Sequence, residues 1–282
     1  MWRHQIWGLG QASGQNERSD VRRMDRPAAW SSEHAASFED VGVARAYRHR
    51  PPYAAAAILR LGELCDPGCR VVLDLGSGTG NVALRIAPLV ERVDAVEPSR
   101  PMVAAGREEP SAHADRVDWI LGFAEAAALR PPYGLATAGD SLHWMDWDKV
   151  LPRLATALTP RGRLAVIEVT GDAWGAQPEV IELIKRYSVY GDTYRAHDVI
   201  DEITARGLFR AQGIETFREH FTQSLDSFIT SFHARASLSV TRIGVERTQA
   251  FDRELASVVD AHPELLARDV TTRVVWGVPT IR

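Results

Sequence analysis

The chain has 282 residues, 33 of them Lys or Arg and 37 Asp or Glu, for a formal net charge of -4 with 45% hydrophobic and 25% charged content. That balance belongs to a globular protein with enough apolar side chains for one sizeable core. It offers no basic block to draw a nucleic-acid backbone or an anionic membrane, and no apolar run of the roughly 20 residues that spans a bilayer.

Residues 1–28 mix Gly, Ser, Gln, Asn and Arg without a helical or strand period, so a flexible tail is expected, with Met24 as a second candidate start. Residues 29–282 are expected to form one domain. The first two dozen residues carry no signal-peptide apolar core, which points to the cytoplasm. Good helix formers run from Ala54 to Leu64 and are expected to pack through Ile58, Leu59 and Leu61, after an irregular lead-in, "AYRHRPPY". Two cysteines, Cys65 and Cys69 in "CDPGC", are too few and wrongly spaced for a zinc ribbon or a disulfide framework, and read as free thiols.

From Arg70 onward short β-rich runs alternate with helical segments, the pattern of a parallel sheet covered on both faces. Strands are expected at Val71–Leu75, Arg92–Val96, Val117–Leu121, Gly134–Gly139 and Leu164–Val169. Helices are expected around Val82–Val90, Pro101–Gly106 and Asp148–Leu158, with "LTPRGRL" turning into the fifth strand. Beyond Glu168 the alternation breaks. Pro178–Tyr190, Ala196–Arg206, Leu225–Ala234 and Val245–Val259 read as helical, and Ile214–Phe221 and Thr271–Pro279 as extended. Helical insertions within about 170–260 are expected to build a lid over the substrate.

The stretch "VVLDLGSGTGNVALRI" is a strand, a tight turn and a helix start. Gly76, Gly78 and Gly80 can take positive φ and let a ligand approach bare backbone. A dinucleotide site would space its glycines G-x-G-x-x-G, whereas here the spacing is G-x-G-x-G with Asp74 two positions before the first glycine. A carboxylate there repels a pyrophosphate and suits a ligand with an ammonium group, so S-adenosylmethionine fits. Glu97 closes the second strand seventeen positions beyond Gly80, where an acid can take both ribose hydroxyls.

"VVLDLGSGTG", "VDAVEPS", "GFAE", "SLHWMD" and "LTPRGRL" resemble, in order, the motifs of class I S-adenosylmethionine-dependent methyltransferases over residues 38–170. The "HW" pair and "YRHRPPY" are similar to the small-molecule branch that includes trans-aconitate methyltransferases. The resemblance implies a Rossmann-like, doubly wound α/β fold. Its seven-stranded sheet would run 3-2-1-4-5-7-6 with the last strand antiparallel, and helical insertions would fall near the C-terminus. It also implies that Gly76, Ser77, Gly78 and Gly80 hold the methionine portion of the donor and that Glu97, followed by Pro98, takes the ribose. "GFAE" would border the adenine. Many relatives have Asp where this chain has Phe123, so recognition of the adenine amino group falls to the Ala124 backbone or to Glu125. Tyr47 and Arg50 would reach the methionine end, with Arg50 pairing its carboxylate.

Methyl transfer from a sulfonium gains most from alignment, and a base is needed only where the acceptor must lose a proton. Ligands of open α/β sheets bind beyond the carboxyl ends of the strands, which places Asp140 and His143 beside the donor methyl. His143, with an ordinary pKa near neutrality, is the candidate base; an equal reading has His143 and Trp144 bracing the loop along the cofactor edge. Asp146 is expected to cap the next helix. Trp174, Tyr187, Tyr190 and Phe232 are candidates for an apolar acceptor wall, with His233 and Arg235 for polar or anionic recognition. These residue types also serve plainer ends: glycines that only turn, a Glu97 that only caps a helix, a solvated Arg50, aromatics that are only core. No metal site is expected. The absence of an Asn/Asp-Pro-Pro-aromatic tetrapeptide argues against a nucleic-acid base as acceptor. The leading expectation is therefore methyl transfer to a small molecule through a carboxylate or hydroxyl. The alternatives are a nicotinamide oxidoreductase, disfavoured by the glycine spacing, and a binding protein that retains the donor pocket without turnover.

Overall fold

In the computed structural model, which describes residues 39–170, 177–189 and 198–281, seven strands form one sheet. They are β1 Val71–Leu75, β2 Arg92–Glu97, β3 Val117–Leu121, β4 Tyr133–Gly139, β5 Leu158–Thr170, β6 Phe209–Thr222 and β7 Ala267–Pro279. Their order is β3-β2-β1-β4-β5-β7-β6, with β1 to β5 parallel and β7 antiparallel to both of its neighbours. This is the doubly wound order that the resemblance implies. In chain order the helices are α1 Val41–Tyr47, α2 Ala55–Leu64, α3 Ala83–Ile86, α4 Arg100–Glu108, α5 Trp147–Ala157, α6 Pro178–Tyr187, α7 Val199–Ala205, α8 Leu225–His233, α9 Val240–Ile243 and α10 Val245–Ala261. Among the described residues no helix is long and apolar enough to cross a membrane.

The central strands β1, β2 and β4 are buried over nearly their whole length because helices cover both faces. Along β1, alternation sends Val72 to a core shared with α2 and α3, and Leu73 and Leu75 to one shared with α5 and α7. A third core lies away from the sheet, where Phe228, Phe232, Phe251 and Leu255 join α6, α8 and α10. Asp94 on β2 is fully buried, where it receives the Tyr133 hydroxyl at 2.7 Å and pairs with Arg130 and Arg92.

Several expected details change. Ile58 and Leu61 are buried as expected, but Leu59 is 56% exposed, since adjacent helical positions point about 100° apart. Helix α1 precedes the irregular lead-in and shares only Ala46 and Tyr47 with it; Asp40 caps it by accepting the Gly42 N–H at 2.7 Å. The helix expected over Val82–Val90 is α3 followed by a 3-10 turn, Ala87–Leu89, because Pro88 has no N–H to continue the ladder. "LTPRGRL" is not a turn before β5 but part of it, with an irregular register against Tyr133 and Leu135. Helix α6 stops at Tyr187, and α7 starts at Val199 after Asp198, whose side chain accepts from the N–H groups of Ile200 and Asp201. The expected tail and the alternative start at Met24 lie outside the described residues.

Candidate active site

The chain order of the sheet reverses between β1 and β4, and the crevice beyond their carboxyl ends is where ligands of such sheets bind. Three glycines with positive φ follow β1: Gly76 at 62°, Gly78 at 56° and Gly80 at 85°. A Cβ on Gly76 would stand 2.7 Å from Ser141 Cβ, and one on Gly80 would stand 3.0 Å from the Trp119 ring, so both positions admit packed neighbours. At Gly78 the nearest atom is Tyr47 Cε1 at 3.7 Å, so this glycine keeps space open.

Glu97 ends β2 against this loop. Its Oε2 accepts the Gly78 N–H and its Oε1 the Ser99 N–H, each at 2.9 Å. Burial pushes its carboxyl up, while the Ser99 and Gly78 amides pull it down. Asp74, in the middle of the sheet's carboxyl edge, is buried and accepts the Thr137 hydroxyl through Oδ1 at 2.7 Å. Its Oδ2 has no hydrogen-bond partner, nor does the buried Ser77 Oγ. Burial pushes the Asp74 carboxyl up to about 7, against the pull of Thr137 and the Ala83 N–H. A buried carboxylate oxygen without a partner is costly, and a ligand's ammonium group would relieve it.

At the end of β4 the Asp140 backbone takes φ 46°, and its Oδ2 accepts the Tyr53 hydroxyl at 3.0 Å. Burial raises the Asp140 carboxyl, with the Arg50 charge and the Tyr53 hydrogen bond opposing. Arg50 donates to the Tyr47 hydroxyl at 2.8 Å, and its guanidinium lies 5.0 Å from that ring's centre. Tyr47, then Asp140 and Tyr53, keep it protonated against burial. These groups bound one cavity of about 700 Å³ together with Ser77, Pro98, Phe123, Ala124, Glu125 and Trp144. Its size lies within the roughly 300–1,000 Å³ of small-molecule sites.

Residues 72–162, which contain the loop, Glu97 and Asp140, match the family model described as a methyltransferase domain. An uncharacterized methyltransferase of Mycobacterium tuberculosis is 29% identical over 221 residues, 77% of this chain and 84% of that one. The ubiquinone/menaquinone biosynthesis C-methyltransferase of Rubrivivax gelatinosus is 32% identical over 115 residues, 38% of this chain and 42% of its own length. The fold is that of a candidate type II methyltransferase from Anaeromyxobacter dehalogenans, with TM-score 0.58, 24% identity, and 82% and 99% of the two chains covered. The chain carries a methyltransferase domain on the fold of class I S-adenosylmethionine-dependent methyltransferases.

The other sequence candidates of the methyltransferase fall in different places. Trp144 lines the cavity. His143, in the 3-10 turn Leu142–Trp144, has its ring 4.7 Å from that of Trp144. Burial, and then the Arg50 charge, push its imidazole down to about 4, so the near-neutral base expected from an ordinary histidine is instead a weakly basic neutral ring. Asp146 stands at the N-cap of α5 but makes no side-chain cap; its Oδ2 pairs with Lys149 at 3.1 Å. The Asp146 N–H instead donates to Glu125 Oε1 at 2.6 Å, and the Ala124 carbonyl accepts from Arg153. Both groups expected at the adenine edge thus also hold their own loop, while Phe123 is 64% exposed at the cavity rim.

The expected acceptor wall is not assembled from the residues chosen for it. Tyr187 and Phe232 belong to the third core; the Tyr187 hydroxyl donates to Glu254 at 2.6 Å, and Phe232 is fully buried against Phe228 and Phe251. His233 is held between the Leu238 carbonyl and Asp252, both at 2.9 Å. Burial works against its charge, but these partners raise its pKa. The Arg235 guanidinium lies 5.6 Å from the centre of the Phe232 ring. Aromatics at helical spacing here face other helices because α6, α8 and α10 have to bury one face each. Trp174 and Tyr190 lie outside the described residues.

Sequence reasoning missed Tyr53, Thr137 and Ser141. The Ser141 hydroxyl donates to the Leu75 carbonyl at 2.7 Å and ties the two loops together. A strand-end position was the only signal for Thr137 and Ser141, and for Tyr53 there was none, since its partner is 87 residues away.

Proposed function

We infer that the methyltransferase binds S-adenosylmethionine in the 700 Å³ cavity and moves its methyl group to a small organic acceptor through a carboxylate or hydroxyl. The observation that carries this reading is the pairing of the partnerless Asp74 Oδ2 with a loop left open at Gly78 and closed by Glu97. Asp74 would hold the donor's ammonium, Gly76, Ser77 and Gly78 its methionine portion, and Arg50 its carboxylate. Each Glu97 oxygen has spent one lone pair on an amide, which leaves capacity for the ribose hydroxyls. Pro98, Phe123, Ala124 and Glu125 would border the sugar and the adenine.

The bound donor supplies a methyl group on a cationic sulfur that leaves as a neutral thioether. The chain aligns the acceptor, excludes water and, for an acceptor that loses a proton, provides a site for it. A cavity of this size favours a small molecule over a nucleic acid. The narrower likeness to trans-aconitate methyltransferases, the cytoplasmic location and the action of residues 29–282 as one unit with a lid over about 170–260 belong to the same proposal.

Calorimetry with S-adenosylmethionine, S-adenosylhomocysteine and NADH tests it. Micromolar binding of the first two and none of NADH is expected. NADH binding without affinity for either adenosyl sulfur compound would overturn it.

A further inference from the structure

One part of the cavity wall, the Tyr53–Asp140 pair, is assigned no donor atom in the reading above, although Asp140 is a candidate from the sequence for donor binding as well as for catalysis. Three separate features build it. Tyr53 lies just before α2 and is 5% exposed, with its hydroxyl on Asp140 Oδ2 at 3.0 Å. Gly139 makes room for it, since a Cβ there would stand 2.7 Å from the Tyr53 hydroxyl oxygen and 3.1 Å from its ring. Asp140 itself is the one non-glycine with positive φ among the described residues, a conformation that turns its side chain off the line of β4. A strained aspartate, a glycine cleared for a tyrosine and a buried phenol hydrogen bond on a cavity wall are more than chain turning requires.

Burial and the Asp140 charge hold the Tyr53 phenol protonated, so it acts as donor and Asp140 as acceptor. A carboxylate has about four lone-pair sites. Tyr53 takes one and the Val169 N–H faces another, which leaves acceptor capacity at the cavity. Arg50 approaches the same carboxylate without a direct ion pair, and Glu168 lies nearby with its charge paired to Arg273 at 2.8 Å. His143 is a neutral ring at ordinary pH.

We propose that Asp140, positioned by Tyr53, selects the methyl acceptor: the acceptor presents an O–H or N–H to this carboxylate, and an anionic carboxylate acceptor is repelled. The proposal rests on the donor reading and narrows it to proton-bearing nucleophiles, of which a phenol is the simplest probe. As the acceptor's lone pair bonds to the methyl carbon, its proton passes to Asp140. The carbon–sulfur pair stays with the leaving thioether, and Asp140 returns the proton to water. Tyr53 is a positioning residue that acts through Asp140.

The test uses the full chain with S-adenosylhomocysteine bound and aspartate ¹³C-labelled at the carboxyl. Phenol is expected to shift the Asp140 carboxyl resonance and to bind at least about ten-fold tighter than benzoate, a difference of about 1.4 kcal/mol. Asp140→Asn should erase that preference. Tyr53→Phe, the milder change, should move the Asp140 titration to higher pH, because the phenol hydrogen bond favours the ionised form. Benzoate binding as well as phenol, phenol leaving the Asp140 resonance unmoved, or an unchanged Asp140 titration in Tyr53→Phe would each overturn the proposal. Failure of S-adenosylhomocysteine to bind the unaltered chain would instead overturn the donor reading.

Discussion

The carboxylate of Glu97 closes on the backbone N–H of Gly78 at 2.9 Å, so the residue that ends β2 and the loop that follows β1 form one hydrogen-bonded unit. The bond fixes both the open space at Gly78 and the orientation of the acid beside it. Loop and acid are therefore expected to respond together to substitution.

Replacing Gly78 with Ala puts a methyl group into the open space beside Tyr47 and forces an L side chain to φ 56°. Stability should fall by about 1–2 kcal/mol, and affinity for S-adenosylhomocysteine by at least ten-fold. Calorimetry and urea unfolding read the two effects separately, and an affinity unchanged in a folded variant would count against the loop as the donor site.

Glu97→Gln keeps the shape but turns one carboxylate oxygen into an NH₂ that faces an amide N–H of Gly78 or Ser99. A lost hydrogen bond to a charged group costs about 1.5–3 kcal/mol. Donor affinity is expected to drop more than the affinity for adenine alone, and equal losses for both ligands would place the effect elsewhere.

Asp74 and His143 give opposed pH dependences. The folded pKa of Asp74 is about 7 against 3.8, so the folded chain binds more protons than the unfolded one in that window and loses stability as pH rises from about 4 to 7. The folded pKa of His143 is about 4 against 6.5, so the unfolded chain binds more protons and stability rises over about 4 to 6.5. The two slopes largely offset. Asp74→Asn should expose a rising stability with pH, and His143→Phe a falling one, in denaturant melts at pH 4.5, 5.5 and 6.5.

Binding of the donor's ammonium beside Asp74 should pull its pKa down from about 7 and release a proton. Calorimetric enthalpies at pH 6.5 in buffers of different ionisation enthalpy are expected to show this release in the unaltered chain and to lose it in Asp74→Asn.

Removing the buried Asp94 carboxylate leaves the Tyr133 hydroxyl and Arg130 without their shared acceptor. Asp94→Ala should cost about 1–3 kcal/mol of stability, the cost of leaving the buried Tyr133 hydroxyl without its acceptor, since Arg130 is half-exposed and keeps Asp118, as measured by urea unfolding. A loss below about 0.5 kcal/mol, the size of an ordinary surface change, would show the network to be dispensable.

Short-range physics made much of the molecule legible. The short β-branched run of β1 marks a buried strand because its residues meet a neighbouring strand on each side and helices on both faces. The need for positive φ and bare backbone at Gly76, Gly78 and Gly80 is a property of a five-residue turn. The position of Glu97 follows from strand and helix lengths, which vary little. Leu59 was misjudged because one step of helical rotation decides the face, and "LTPRGRL" because β5 starts at Leu158 rather than at Leu164.

The sequence by itself determined the alternation of strands and helices up to β5 and the chemistry of the loop, because these depend on residues close together in the chain, whereas the strand order came from the resemblance and joins segments as distant as Leu164 and Gly277. Tertiary structure alone decided that Tyr187, Phe232 and His233 serve a helical core, that His143 is pushed down to about 4, and that Tyr53 meets Asp140 across 87 residues. Burial and proton affinity are set by whichever distant segments pack against a side chain, and no local pattern encodes that.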